Sequence, residues 1–192
     1  MPINLTREQW LNESASLILD DILPSENAEN LPVPDYRISV APLKASALAE
    51  CHNKASSSNG HNEIFVAAHS DDSAAILGAL CHELIHAYDD CKSGHRNFFA
   101  RTARRIGLEG KLTHTVAGLE LAATLQSYID LLGPIPHDKM NLKPKSKGRN
   151  NNKIKCDACG FQANLSAKWA ELIHTGAECP CCESHTLQVI KA

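Results

Sequence analysis

Five consecutive residues, His82-Glu83-Leu84-Ile85-His86, read H-E-x-x-H. On a helix, positions i and i+4 lie about 40° apart around the axis and one turn along it, so two imidazoles at that spacing can reach one ion. Zinc takes such nitrogens at about 2.0–2.1 Å. Glu83, one residue on from the first imidazole, falls beside the open side of that ion. It can accept a proton from water held there without being a ligand itself. The chemistry of such a group is metal-assisted hydrolysis. A catalytic zinc needs a third protein ligand and one exchangeable position. His95 is the favoured candidate, because at Gly94-His95 a short loop hands the chain to the next helix; Glu109 and Glu120 are the other candidates. The competing interpretation, two histidines and a glutamate merely buried on a helix with Leu80, Leu84 and Ile85, would carry a large desolvation cost.

A second constellation closes the chain. Cys156-x₂-Cys159-x₁₉-Cys179-x₂-Cys182 has the spacing of two zinc knuckles. Four thiolates fill a tetrahedral ion, so this zinc is expected to be structural, and its binding supplies the folding energy of a module too small for a large core. Cys181 offers an alternative to Cys182 in the second knuckle; the x₂ spacing favours Cys182. Cys51, Cys81 and Cys91 read as free thiols, and His52, His61 and His69 as surface residues.

The elements that must position these groups follow from periodicity. Thr6 and Gln9 fit a capping box ahead of a helix over about 6–23. Residues 36–40 alternate as a strand, 44–52 suit a short helix, and 64–68 read as a buried strand. Asp71 and Asp72 start a long helix over about 71–89 that carries the H-E-x-x-H run. Further helices are expected over about 96–106 and 117–132, the first with Arg101, Arg104 and Arg105 near its C-terminal end. The fold class expected is α+β: a mainly helical body with a small sheet over 1–137, a basic linker over 138–152, and a Cys-rich module over 153–192.

Cys81-His-Glu-Leu-Ile-His-Ala-Tyr88, preceded by Ile64-Phe-Val-Ala and followed by Gly94-His-Arg-Asn-Phe98, resembles the SprT-like zinc metallopeptidases, which include the Spartan proteases that degrade proteins crosslinked to DNA. The resemblance spans about residues 5–132 and is sharp over 64–108. It implies a zincin-like domain with His82, His86 and His95 as ligands of a catalytic zinc and Glu83 as general base. Family members often carry Gly after the third His; here Gly94 precedes His95 and Arg96 follows. The tail, Lys155-Cys with Cys159-Gly-Phe161, Lys168-Trp169, Gly176 and Cys179-Pro, is similar to the zinc ribbon of bacterial and phage members. Tyr88 and His114 are weak candidates for stabilising an oxyanion.

The chain has 192 residues, eight Cys, ten His and a net charge of −3. No run of apolar residues is long enough for a membrane span. The N-terminus lacks a basic stretch followed by an apolar one, so cytoplasmic residence is expected, and the cysteines are read as ligands rather than disulfides. Lys139–Lys155 holds seven basic side chains and no acid. With Lys168, Trp169 and Phe161 it suggests contact with DNA, single-stranded or crosslinked, through phosphates and stacked bases. A solvated linker and a ribbon with a self-filled core explain the same residues. The function expected is a zinc-dependent endopeptidase with a protein substrate, one catalytic zinc and one structural zinc. The alternative is a non-proteolytic zinc-containing nucleic-acid-binding or adaptor protein.

Overall fold

The computed structural model describes residues 5–23, 32–141, 152–171, 173 and 177–190. The chain divides into two compact units, Met1–Leu142 and Lys143–Ala192. Both mix helix and sheet, so the molecule is α+β.

In the first unit, helix α1 (Arg7–Leu17) starts at Thr6 with both arms of the capping box made: the Gln9 N–H donates to Thr6 Oγ1 at 3.2 Å and the Thr6 N–H to Gln9 Oε1 at 2.9 Å. It continues as a π turn over Ile18–Ile22. Trp10 is fully buried, and its indole N–H donates to the Gly133 carbonyl at 2.8 Å. That bond satisfies the one polar atom such a side chain takes into a core.

Three strands form a sheet in the order β1-β3-β2. Strand β3 (Asn62–Ala67) is central, parallel to β1 (Tyr36–Ala41) and antiparallel to β2 (Ala49–His52). Residues 49–52 are thus a strand and not the end of a short helix. Ala and Glu favour helix in isolation, but pairing with β3 offers these residues a ladder of hydrogen bonds, and tertiary context overrides a weak propensity.

Helix α2 (Ser73–Tyr88) starts at Asp72, whose carboxylate accepts from the Ala75 N–H at 3.1 Å. Ile76, Leu77, Leu80, Leu84 and Ile85 are all fully buried. A helix covered on nearly every side must run through the middle of its unit. Helix α3 (Asn97–Arg105) follows, then a hairpin that the periodicity did not predict: β4 (Leu108–Lys111) and β5 (His114–Ala117), paired antiparallel with Lys111 opposite His114. Helix α4 (Leu119–Leu132) completes the unit. Gly118, just before it, must lack a side chain, because a Cβ there would meet the Glu109 carboxylate and the Gly107 carbonyl. After α4, the His137 ring and the Met140 N–H both bond to the Ala68 carbonyl, at 3.0 and 2.7 Å.

The second unit is a three-stranded antiparallel sheet in the order β7-β6-β8, with β6 (Asn152–Cys156), β7 (Gln162–Leu165) and β8 (Leu187–Ile190), and a one-turn helix α5 (Ala167–Ala170). Ile154, Cys156, Cys179 and Leu187 form its small core. Much of the basic stretch, including Lys143, Lys145, Lys147 and Arg149, lies outside the described residues. Among those that are described, no helix is long and apolar enough to cross a membrane.

Candidate metal centres

The i, i+4 spacing on α2 turns His82 and His86 to one side of the helix. The loop after α2 brings the third imidazole back. Gly94 sits in the left-handed region at φ 53°, where only glycine is unstrained, and reverses the chain one residue before His95. His95 Nε2 then lies 3.2 Å from His82 Nε2 and 3.3 Å from His86 Nε2. A ring nitrogen has one in-plane lone pair or one N–H, so it can make only one of these contacts as an in-line hydrogen bond. The convergence suits ligands around a shared cation. Two nitrogens each about 2.05 Å from a tetrahedral ion are about 3.3 Å apart. The three-histidine group can therefore hold a metal ion. Glu109 and Glu120 do not belong to it.

Four further contacts prepare the imidazoles. His82 Nδ1 lies 2.8 Å from Thr115 Oγ1 on β5. With the proton on Nδ1 and donated to Thr115, Nε2 keeps its lone pair for a metal. The fully buried Phe99 of α3 stacks on His86, with centroids 4.3 Å apart and planes at 18°. It also meets His82 and His95 edge-on, at 4.6 and 5.1 Å. Burial, reinforced by the neighbouring imidazoles, pushes His82 down to about 3 and His86 down to about 4; burial also lowers His95. Neutral imidazole is the form that binds a metal.

Glu83 is buried beside His82, and burial pushes its carboxyl up to about 8, with the nearby Cys91 adding to the rise. The Cys51 backbone N–H of β2 donates to it and works in the other direction. The side chain faces an open groove. Two adjoining cavities share Ala49, His82, Glu83 and Thr113, and all four residues of β2 line one of them. Among the described residues β2 pairs only with β3, so its other edge is free of a strand partner.

Thr115 and Phe99 had no sequence signal as partners of the histidines. Thr115 lies on a hairpin whose strands are four residues each, one of them interrupted by Gly110, too short to read as strands, and Phe99 looks like any apolar residue at helical spacing. His114 lines the groove, whereas Tyr88 packs in the hydrophobic core and lines neither cavity.

In the second unit, Cys156, Cys159, Cys179 and Cys182 bring their sulfurs within 4.8 Å of one another, and this group too can hold a metal ion. The Cys156–Cys182 and Cys159–Cys179 sulfurs are each 3.7 Å apart. The Cys181 N–H donates to Cys179 Sγ at 3.4 Å, so Cys181 serves this knuckle through its backbone, and Cys182 supplies the sulfur. Hydroxyls of Ser184 and Thr186, 3.3 and 3.2 Å from Cys156 Sγ, lower that thiol to about 5 and favour the thiolate.

No family model matches the chain, and no curated protein matches it either.

Proposed function

We propose that the chain is a zinc-dependent endopeptidase of the SprT-like kind, with one zinc held by His82, His86 and His95 and a structural zinc held by the four cysteines. The observation that carries this reading is the convergence of three ring nitrogens, with His95 Nε2 3.2 Å from His82 Nε2 and 3.3 Å from His86 Nε2, next to a buried glutamate in an open groove. The donor types favour zinc: imidazole nitrogens in one set and thiolates in the other. Sulfurs about 2.3 Å from a tetrahedral zinc are about 3.8 Å apart, close to the 3.7 Å found.

Zinc bound by the histidines would polarise a peptide carbonyl and lower the pKa of water toward about 7. Glu83 does the proton work. Its carboxylate oxygen takes the proton that water loses on attacking the peptide carbon, then delivers it to the leaving nitrogen. A carboxyl raised to about 8 by burial is easily protonated, and a cation nearby restores the carboxylate. Thr115 holds His82 in the tautomer that leaves Nε2 free. The edge of β2 that faces away from β3 lines the groove without a strand partner, and an extended peptide can align its main chain along it.

Substrates on DNA fit the tail. Trp169 is 56 % exposed, with Lys168 Nζ 5.5 Å from its ring centroid. A solvent-facing aromatic beside a cation suits stacking on unpaired bases. The same surface favours the alternative, a nucleic-acid-binding adaptor without hydrolysis. Two assays separate them. Cleavage of casein, or of protein crosslinked to single-stranded DNA, that stops with a chelator and returns with zinc supports the peptidase; DNA binding without cleavage supports the adaptor.

A further inference from the structure

Two half-buried thiols meet in the wall of the groove. Cys51 belongs to β2 and Cys91 to the loop after α2, and their sulfurs are 3.7 Å apart. Cys91 Sγ also lies 3.7 Å from the Cys51 carbonyl oxygen. The metal-capable groups among the described residues are the two above, and neither thiol belongs to them. Cys81, the remaining cysteine of this unit, is fully buried. Two accessible sulfurs in van der Waals contact can do what a lone cysteine cannot, which is to bond to each other.

The loop holds them together at a conformational cost. Asp90 and Cys91 both adopt positive φ, 57° and 59°, which is unusual for residues with a side chain. The Cys91 N–H is tied to the His86 carbonyl at 2.8 Å. Asp90 Oδ1 accepts from the Lys54 N–H at 2.8 Å and from Asn62 Nδ2 at 3.2 Å, so the loop is moored to the segment that follows β2 and to β3. These contacts aim Cys91 back at the strand.

We propose that Cys51 and Cys91 form a reversible disulfide that staples β2 to the loop bearing His95. A peroxide is a sufficient oxidant. One thiolate attacks a peroxide oxygen; the O–O bond breaks, one oxygen leaves as hydroxide and the sulfur becomes a sulfenic acid. The second thiolate attacks that sulfur and displaces its oxygen as hydroxide. The two protons released by the thiols convert both hydroxides to water. Two electrons pass from the sulfurs to the peroxide, and a dithiol reductant returns them by exchange. Rotation of the side chains must close the 3.7 Å gap to the about 2.05 Å of an S–S bond. The bond joins two walls of the groove without using a metal ligand.

The test is a peptide map of the full-length zinc-loaded protein, titrated with hydrogen peroxide, alkylated and digested without reduction. The expected product joins the Cys51 and Cys91 peptides, is lighter by two hydrogens than the separate pair, and is separated again by dithiothreitol. Zinc per chain is unchanged at the dose that forms it, and the thermal midpoint rises by several degrees. Cys81→Ser keeps the link, and Cys51→Ser loses it with no thermal shift on oxidation. If the ribbon cysteines oxidise and release zinc while Cys51 and Cys91 remain separately alkylated, the proposal is overturned; linkage only to other cysteines also overturns it. The readout is a covalent bond, so it stands or falls independently of peptidase activity.

Discussion

His82 turns one ring nitrogen toward His95, within the three-histidine group that could hold a metal ion, and the other toward Thr115. Replacing Thr115 with Ala is therefore expected to weaken zinc binding about 10–100-fold, the usual effect of losing an outer-shell partner. Competition with a chromogenic chelator measures it; unchanged affinity would mean that the 2.8 Å contact does not orient the ring. The imidazoles also make a prediction for the metal-free chain. Their folded pKa values, about 3 and about 4, lie below the 6.5 of an ordinary histidine. As pH falls from about 6.5 toward 4, the unfolded chain takes up protons that the folded one refuses, so stability drops across that window. Urea midpoints of chelator-treated protein should fall with pH there, and less steeply in His86→Gln. Equal slopes would contradict the assignment. At this scale the ligand types were legible because H-E-x-x-H and C-x₂-C state their spacing along the chain. Thr115 was not, because its role depends on a neighbour 33 positions away.

Helix α3 does two jobs through Phe99, which fills the core and floors the three rings. Phe99→Ala should cost about 3–5 kcal/mol in denaturant unfolding, as large-to-small changes in cores do. It should also loosen the zinc site. A loss well under 1 kcal/mol would show that the ring is not packed as described. Helix α2 was legible from its Asp72 start and its apolar run. Residues 49–52 suit a helix by local composition, and their strand character comes from β3, a partner that composition does not announce. The β4–β5 hairpin escaped for a related reason. Gly110 interrupts the strand pattern, and exposed Val116 breaks the rule that apolar residues face inward.

The chain folds as two compact units, each with its own group of residues that could hold a metal ion. Metal content should therefore be two zincs per chain, with His86→Ala and Cys159→Ser each removing one and leaving the other. Elemental analysis of the purified variants checks it; a single substitution that removes both metals would contradict independent sites. Ile154, Leu187 and two cysteines make up the buried core of the second unit, so chelation is expected to destabilise it more than the first unit. The cysteine-rich tail announces the division of the chain, whereas the groove is legible only in part, because β2 and the hairpin that shape it owe their strand character to their pairing partners.

In the proposed reaction Glu83 moves protons for a zinc held by three histidines. Comparing casein cleavage by wild type and Glu83→Gln, with zinc measured on the same samples, tests that role. The expected result is two zincs in both proteins and a rate about 10²–10⁴-fold lower in the variant, the usual contribution of a general base. Equal rates, or a fully zinc-loaded wild type that cleaves neither casein nor protein crosslinked to DNA, would contradict it.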